Sequence, residues 1–158
     1  MEVRPATASD VPAVVPMVRK LCQLHKTWDR AKYDFVEGID DMYHSWLTAR
    51  AADPRAVFLV ADREGVGPVG FLIGTVEKEI PIYRLREYGF IHDLWVEEDY
   101  RNEGLARQLV MLAVERFRAI GTRQVRLDTA EANDVARKLF ERCGFRVSVI
   151  EMLREELP

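Results

Sequence analysis

The sequence predicts a mixed α/β fold, in which a central mixed and mostly antiparallel sheet carries helices on both faces. Two patterns favour this fold class. Three β-prone runs follow one another in the middle of the chain, an order typical of an antiparallel meander. A strand, a helix and a further strand then alternate, which indicates a parallel pair. Residues 1–158 suffice for one sizeable core, so we expect a single domain.

The N-terminal third predicts one short strand and two amphipathic helices. The strand is expected at Glu2 to Arg4. Thr7 or Ser9 caps the first helix, and Ser9 is favoured because Pro12 then lies in the first turn. Pro16 should kink this helix. Apolar residues at helical spacing define both buried faces: Val11, Val14, Val15, Val18, Leu21 and Cys22 in the first helix, and Val36, Ile39, Met42, Tyr43, Trp46 and Leu47 in the second.

The rest of the chain predicts five strands and two helices. The strands are expected at residues 56–61, 69–76, 89–96 and 124–130, with a final β-prone tail from Phe145 to Leu153. One helix runs from Leu105 to Ile120 and is closed by Gly121; the other has Val135, Ala136, Leu139, Phe140 and Cys143 on one face and is closed by Gly144. Residues 81–88 are expected to form a loop.

Composition and charge exclude several classes of protein. The net charge of −3 comes without a basic face, which argues against nucleic-acid binding. No apolar run approaches the roughly 18 residues of a membrane span, and the N-terminus lacks the features of a signal peptide. Cys22 and Cys143 are typical of reduced core thiols, so we expect a cytoplasmic protein. Cys22 and His25 lie three apart without a second ligand pair, so no metal site is expected.

The entry to the third long helix raises a functional question. The stretch "DYRNEGLARQL", Asp99 to Leu109, begins a helix without serine, threonine or proline. A helix that follows a strand through a short loop presents unpaired N–H groups, which typically bind phosphate. Gly104 lets the backbone approach such a ligand, Ala106 is nearly as permissive, and Arg101 can add a charge-assisted contact. An ordinary loop with one glycine and an exposed arginine explains this short stretch equally well.

A second motif, "EANDVARKLFERCGF", follows the next strand and carries Asn133, Ala136 and Phe140. The two motifs and the order of elements together resemble the GNAT superfamily of acetyl-CoA-dependent N-acetyltransferases over nearly the whole chain. The resemblance implies that one turn cradles the pyrophosphate of coenzyme A, namely Arg101, Asn102, Glu103, Gly104, Leu105 and Ala106. It also implies that Asn133, Ala136 and Phe140 lie along the pantetheine arm.

The same resemblance implies the reaction geometry. A bulge splays the fourth strand from the fifth, and the backbone groups of Leu94, Trp95 and Val96 pair with the pantetheine amides in the gap. A backbone N–H there meets the thioester oxygen as negative charge develops. The acceptor amine attacks the thioester directly in a ternary complex of enzyme, acetyl-CoA and amine.

His92 is the expected base that takes a proton from the amine. By strand alternation it shares a face with residues 94 and 96, and an imidazole pKa near 6.5 suits this role. A proton relay through water, or a half-buried structural histidine, remains the alternative. Asp93 is the second catalytic candidate; it should face the helices, where a structural role such as a bond to a backbone group is favoured.

Two residues depart from the family pattern. Phe140 stands where the family usually has a tyrosine as the general acid. Either another residue protonates the leaving thiolate, with Tyr83, Tyr88 and Cys143 as candidates, or the thiolate leaves unaided. Glu103 places a carboxylate where the family often has a basic or small residue. The missing acid motivates an alternative, a non-catalytic acyl-CoA-binding sensor or partner module. A nucleotide phosphate-binding protein is disfavoured because no Gly-Lys-Ser/Thr follows the loop.

The acceptor and the assembly stay open at this stage. Glu37, Asp40 and Asp41 form an acidic edge that favours a cationic amine, or else a solvated helix face. A small molecule, a peptide N-terminus and a lysine are all compatible acceptors. The tail after Phe145 is short for the family, so the last strand is either curtailed or completed by a second subunit in a homodimer.

Overall fold

The computed structural model of the chain describes residues 1–156. Within them the strands are β1 (Glu2–Pro5), β2 (Ala56–Arg63), β3 (Gly67–Lys78), β4 (Glu87–Val96) and β5 (Val125–Leu127). The helices are α1 (Val11–Trp28), α2 (Arg30–Tyr33), α3 (Ile39–Ala51), α4 (Leu105–Ile120) and α5 (Asp134–Arg142). Single 3-10 turns span Ala8–Asp10 and Glu98–Tyr100.

The strands form one sheet in the order β1-β2-β3-β4-β5. Each of the first four strands is antiparallel to its neighbour, and β5 is parallel to β4. A parallel pair needs a long crossover, which here contains α4. The predicted mixed, mostly antiparallel sheet is therefore confirmed.

Helices cover both faces of the sheet, as predicted. The face under α1 and α3 buries one set of strand residues: Phe58, Val60, Phe71, Ile73 and Trp95. The opposite face packs against α4 and α5 through the alternate set: Val57, Leu59, Ala61, Val69, Leu72, Ile91 and Val96. This alternation is what a strand buried on both sides requires. None of the helices described is long and apolar enough to cross a membrane.

The start of α1 differs from the predicted cap. Thr7 precedes the 3-10 turn, and its backbone N–H and hydroxyl both donate to Asp10 at 2.8 and 2.9 Å. Asp10, rather than Ser9, occupies the position before α1. Pro12 lies in the first turn as expected, and the helix continues across Pro16. The preference for Ser9 was wrong because the extra turn moves the helix start by one residue.

A buried carboxylate anchors this corner of the fold and carries a stability prediction. The Arg4 guanidinium donates to both Asp10 oxygens at 2.9 Å, and these bonds lower the pKa of Asp10 to about 2. Asp10→Asn should therefore lower the free energy of unfolding at pH 7 by about 2 kcal/mol. Because the folded-state pKa is depressed, this stability is present above about pH 4 and is lost as pH falls toward 2.

Denaturant unfolding from pH 2 to pH 7 measures this effect. The wild-type stability should fall across the acid range, whereas the Asp10→Asn variant should lose less over the same interval. Asp62→Asn is the matched control, because Asp62 accepts bonds from the same guanidinium at 2.7 and 3.0 Å but its side chain is 28% exposed. Equal effects of the two substitutions would contradict a special role for Asp10.

The second predicted helix starts later in the structure than in the sequence pattern. It begins at Ile39, after Gly38 at φ 80°. Val36 and Met42 are 65% and 62% exposed, so neither belongs to the buried face. The short α2, where Asp29 accepts a bond from the Lys32 N–H, was not predicted because one polar turn has no hydrophobic period.

The predicted last strand is absent from the described residues. Residues 145–156 form neither helix nor strand, and β5 spans three residues instead of the seven predicted. Val147, Val149, Ile150 and Met152 are each at least 65% exposed. A β-prone sequence becomes a strand only where a partner edge supplies hydrogen bonds and a buried face, and this tail has neither here.

Candidate functional site

A bulge shapes β4 beside the candidate site. In the pairing of β3 with β4, Ile73 is opposite Asp93 and Gly74 is opposite Ile91, so His92 is the extra residue. A bulge bends its strand and re-aims the side chains around it. The predicted bulge in the fourth strand is therefore present, and it falls at the candidate base.

The same strand separates from β5. The parallel pairing covers only Gly89 to Ile91 on β4, so residues 92–96 continue without a partner in β5. The predicted splay between the fourth and fifth strands is confirmed. It leaves the backbone of Leu94, Trp95 and Val96 along one side of a gap that an extended ligand can enter.

The bulge also corrects a prediction about side-chain direction. Strand alternation placed His92 on the same face as residues 94 and 96. In the structure Leu94 and Val96 pack toward α4, whereas His92 contacts Trp46 of α3, on the opposite face. The extra residue reverses the alternation, so His92 and Asp93 both lie on the α1 and α3 side.

The N-terminus of α4 presents a run of free donors. Among the residues described, none accepts a hydrogen bond from the backbone N–H groups of residues 102–107, whereas the Gln108 N–H donates to the Gly104 oxygen at 3.0 Å. Asn102 and Gly104 hold positive φ angles of 65° and 80°, which turn the chain into the helix. A Cβ at Gly104 would meet no protein atom within 4 Å, so the space before the loop is open.

Two glycines of the sheet, Gly74 and Gly89, allow α4 to pack closely against it. A Cβ at Gly89 would lie 2.6 Å from the ring of Phe117, and one at Gly74 would lie 2.7 Å from the Phe90 oxygen and 2.8 Å from the same ring. Any side chain at either glycine would push the helix away. The two glycines thus fix α4 against β3 and β4, and with it the direction in which its N-terminus points.

The Arg101 side chain contacts the end of β4. Its Nε donates to the Val96 carbonyl at 2.9 Å, and its guanidinium lies 4.7 Å from the centre of the Trp95 ring. These contacts tie the loop to the end of β4. Glu103 is exposed, while Leu105 is buried in the core beneath α4.

His92 is held by polar and aromatic neighbours. Its Nε2 lies 2.7 Å from the Thr75 hydroxyl, which is 2.6 Å from a Glu77 oxygen. Trp46 and Phe90 meet the ring edge to face at 5.4 and 5.0 Å. Burial lowers the pKa of His92 below 6.5, and Glu77 opposes this shift. The lowered pKa favours the neutral imidazole, which is the form that a base requires.

Asp93 faces the helices, as predicted, but its partner is a side chain. The Tyr43 hydroxyl donates to it at 3.2 Å. Burial raises the pKa of Asp93 to about 6, although this bond favours the carboxylate. Burial and the Asp93 charge together raise the pKa of Cys22 to about 11, so that thiol is not a nucleophile at neutral pH.

The α5 candidates have structural contacts of their own. Asn133 is the N-cap, and its Oδ1 accepts from the Ala136 N–H at 3.1 Å. Phe140 is buried, and its ring meets Phe145 at 5.8 Å. Of the substitute acids, Cys143 has a pKa raised by burial, and Tyr88 lies under the Arg126 guanidinium at 3.8 Å from the ring centre. Neither the raised pKa of Cys143 nor the contact of Tyr88 with Arg126 identifies a general acid.

Comparison with known families shows to which family the chain belongs. The family model described as the acetyltransferase (GNAT) family matches residues 19–145. The chain belongs to the GNAT acetyltransferase family. The resemblance that the two motifs predicted is thereby confirmed. An uncharacterised N-acetyltransferase of Bacillus subtilis is 32% identical over 87 residues, which cover 55% of this chain and 53% of that protein. The match thus spans about half of that relative's length.

Solved structures share the fold over nearly the whole chain. A mutant of the BH1408 protein from Bacillus halodurans superposes with a TM-score of 0.88 at 21% identity and covers 99% of this chain and 100% of that one. An aminoglycoside N-acetyltransferase in complex with CoA gives a TM-score of 0.71 at 16% identity, with 99% and 100% covered. At such low identities the likeness concerns the fold.

Sequence reasoning missed three neighbours of His92 and Asp93. Thr75, Glu77 and Tyr43 are brought to His92 and Asp93 by pairing of β3 with β4 and by packing of α3. The alternation of Thr75 and Glu77 along one strand was visible in the sequence. The sequence does not reveal the register between β3 and β4, because a bulge of one residue determines which side chains of the two strands lie opposite each other.

Proposed function

We propose that this GNAT protein is an N-acetyltransferase that moves the acetyl group from acetyl-CoA to a primary amine by direct attack in a ternary complex. The observation that carries the proposal is the run of free backbone N–H groups at residues 102–107, beside the gap that opens after Ile91. Unpaired donors at the positive end of a helix stabilise phosphate oxygens.

The residues around the gap fit coenzyme A. The pyrophosphate would accept hydrogen bonds from the loop between Arg101 and Ala106, where Gly104 leaves room for it. The pantetheine amides would pair with the backbone of Leu94, Trp95 and Val96, as an added strand does. Asn133 keeps its amide NH2 group available for the same arm, because only its Oδ1 is used in the cap. Phe140 would supply an apolar wall.

The chain's own groups then serve the transfer of the acetyl group. His92 would accept the proton of the acceptor ammonium, directly or through one water, and so release the nucleophilic lone pair. A β4 backbone N–H in the gap would donate to the thioester oxygen as it becomes negative. Asp93 would position this segment through Tyr43 rather than take the proton itself. Acetyl-CoA supplies the activated acyl group and a thiolate leaving group.

The acidic edge is weaker support for a cationic acceptor than the sequence pattern indicates. Asp40 is already neutralised by Arg19, whose guanidinium donates to it at 3.1 and 2.5 Å. Glu37 and Asp41 remain exposed at the start of α3. We therefore propose a primary amine as the acceptor, without a further requirement for several positive charges.

A non-catalytic acyl-CoA-binding module is the second candidate, and the buried Phe140 favours it. A phenyl ring cannot protonate a thiolate, so turnover relies on unaided departure or on another acid. A thiol pKa near 8.5 makes unaided departure workable. The two candidates differ in one measurable property, the release of free CoA thiol when an amine is added.

The test combines an amine panel with Phe140→Tyr. We expect wild-type protein and acetyl-CoA to release thiol in the presence of at least one amine. The substitution adds one hydroxyl and should raise that rate or leave it unchanged. If Phe140 instead seals a dry pocket, the hydroxyl is buried without a partner at a cost of about 1–3 kcal/mol. A destabilised, inactive variant beside an inactive wild type across the panel would overturn the enzyme proposal.

A further inference from the structure

We infer that Thr75 and Glu77 hold the His92 imidazole in the tautomer with its proton on Nε2, which leaves Nδ1 as the atom that accepts the substrate proton. The inference rests on the proposed role of His92 as the base. It makes Thr75 and Glu77 positioning residues, since neither needs to touch acetyl-CoA or the amine. It also names the side of the ring on which the amine must lie.

A count of hydrogens carries the inference. The Thr75 hydroxyl lies 2.6 Å from a Glu77 oxygen and 2.7 Å from His92 Nε2, and it has a single proton to donate. An ionised carboxylate only accepts, so the hydroxyl must donate to Glu77. Its oxygen then accepts from Nε2–H. The opposite arrangement would leave two acceptor oxygens 2.6 Å apart with no hydrogen between them.

The surroundings keep the ring in this orientation. Thr75 is buried, and its hydroxyl is engaged by Glu77 and His92. The rings of Trp46 and Phe90 meet the imidazole at 90° and 63° and limit its rotation. Among the residues described, none forms a hydrogen bond with Nδ1. Nδ1 is thus the ring nitrogen that is available to the substrate proton.

The arrangement suits a base that becomes charged during the reaction. When Nδ1 takes the proton from the ammonium, the ring becomes a positively charged imidazolium. The Glu77 carboxylate, 3.7 Å from Nε2, stabilises this charge, and no proton needs to pass to Thr75 or Glu77. The amine lone pair then forms the C–N bond while the C–S bond breaks, and the electron pair leaves with sulfur. The second proton of the attacking nitrogen passes to that thiolate, which gives the amide and the free CoA thiol. Glu77 is the charged group that faces the ring from β3; α3 contributes the uncharged Trp46, and Asp93 is turned to Tyr43.

Nitrogen NMR of the histidine side chains tests the tautomer without any turnover. In wild type, the resonances of His92 should report protonated Nε2 and bare Nδ1 above the pKa. Thr75→Val keeps the shape of the side chain but removes the hydroxyl, so the tautomer preference should weaken and kcat should fall by about tenfold. Thr75→Ser keeps the hydroxyl and should restore both. Glu77→Gln removes the facing charge and should lower the apparent pKa of His92.

Each outcome bears on one proposal. A wild-type His92 with its proton on Nδ1, or a Thr75→Val variant indistinguishable from wild type in both tautomer and kcat, would overturn this inference alone. Turnover unaffected by His92→Ala would overturn the base role and the inference with it. An Nε2–H tautomer in a protein that acetylates no amine would leave the tautomer assignment standing and reject the proposed function.

Discussion

Replacing His92 with alanine should lower kcat by about 10²–10⁴-fold, because the acceptor ammonium then loses the group that takes its proton. The affinity for acetyl-CoA should stay unchanged, since the loop proposed for the pyrophosphate lies between β4 and α4 and does not include His92. Steady-state kinetics with a saturating amine, together with calorimetry of acetyl-CoA binding, measure the two effects separately. His44→Ala, at an exposed histidine of α3, is the matched control for loss of an imidazole.

The pH dependence gives this prediction a sign. Burial depresses the pKa of His92, so the acid limb of kcat should lie below 6.5 and the rate should rise as pH increases through it. The limb should disappear in His92→Ala. If it persists near pH 6, the raised pKa of Asp93 identifies that carboxyl as the titrating group, and Asp93→Asn should then abolish it. A profile unchanged in both variants would assign the proton transfer to water.

The predictions that held rest on long periodic segments. The apolar stripe from Leu105 to Ile120 and the terminating Gly121 correspond to α4 as the structure has it, with Gly121 at φ 105°. The three strands of the meander were also placed correctly, because each is a β-prone run bounded by a turn or loop. In these segments local pattern and tertiary packing favour the same structure.

The predictions that were wrong concern segments whose structure depends on a single residue or on a pairing partner. One extra residue at position 92 reverses the direction of every later side chain on β4, and nothing in "GFIHDLWV" marks it. The tail after Phe145 has strand-like residues but no edge long enough to pair with, since β5 has three residues. Pairing partners that are distant in sequence determine both outcomes.

Replacing Gly104 with valine should weaken acetyl-CoA binding by about tenfold or more, which corresponds to at least about 1.4 kcal/mol. The Cβ would meet no protein atom within 4 Å, so it would occupy the space proposed for the pyrophosphate. A branched side chain at φ 80° also strains the backbone by about 1–2 kcal/mol, which lowers the melting temperature. The strain needs to be separated from the loss of binding.

Gly38→Val is the control that separates these effects. Gly38 precedes α3 with φ 80° and ψ 9°, nearly the same backbone as Gly104 at 80° and 3°, and a Cβ there also meets nothing within 4 Å. Both variants should lose similar stability, because the same left-handed conformation is strained in each. Only Gly104→Val should lose affinity for acetyl-CoA in calorimetry. Equal affinities in the two variants would remove the pyrophosphate from this loop, because steric access is the one property in which the two glycines are proposed to differ.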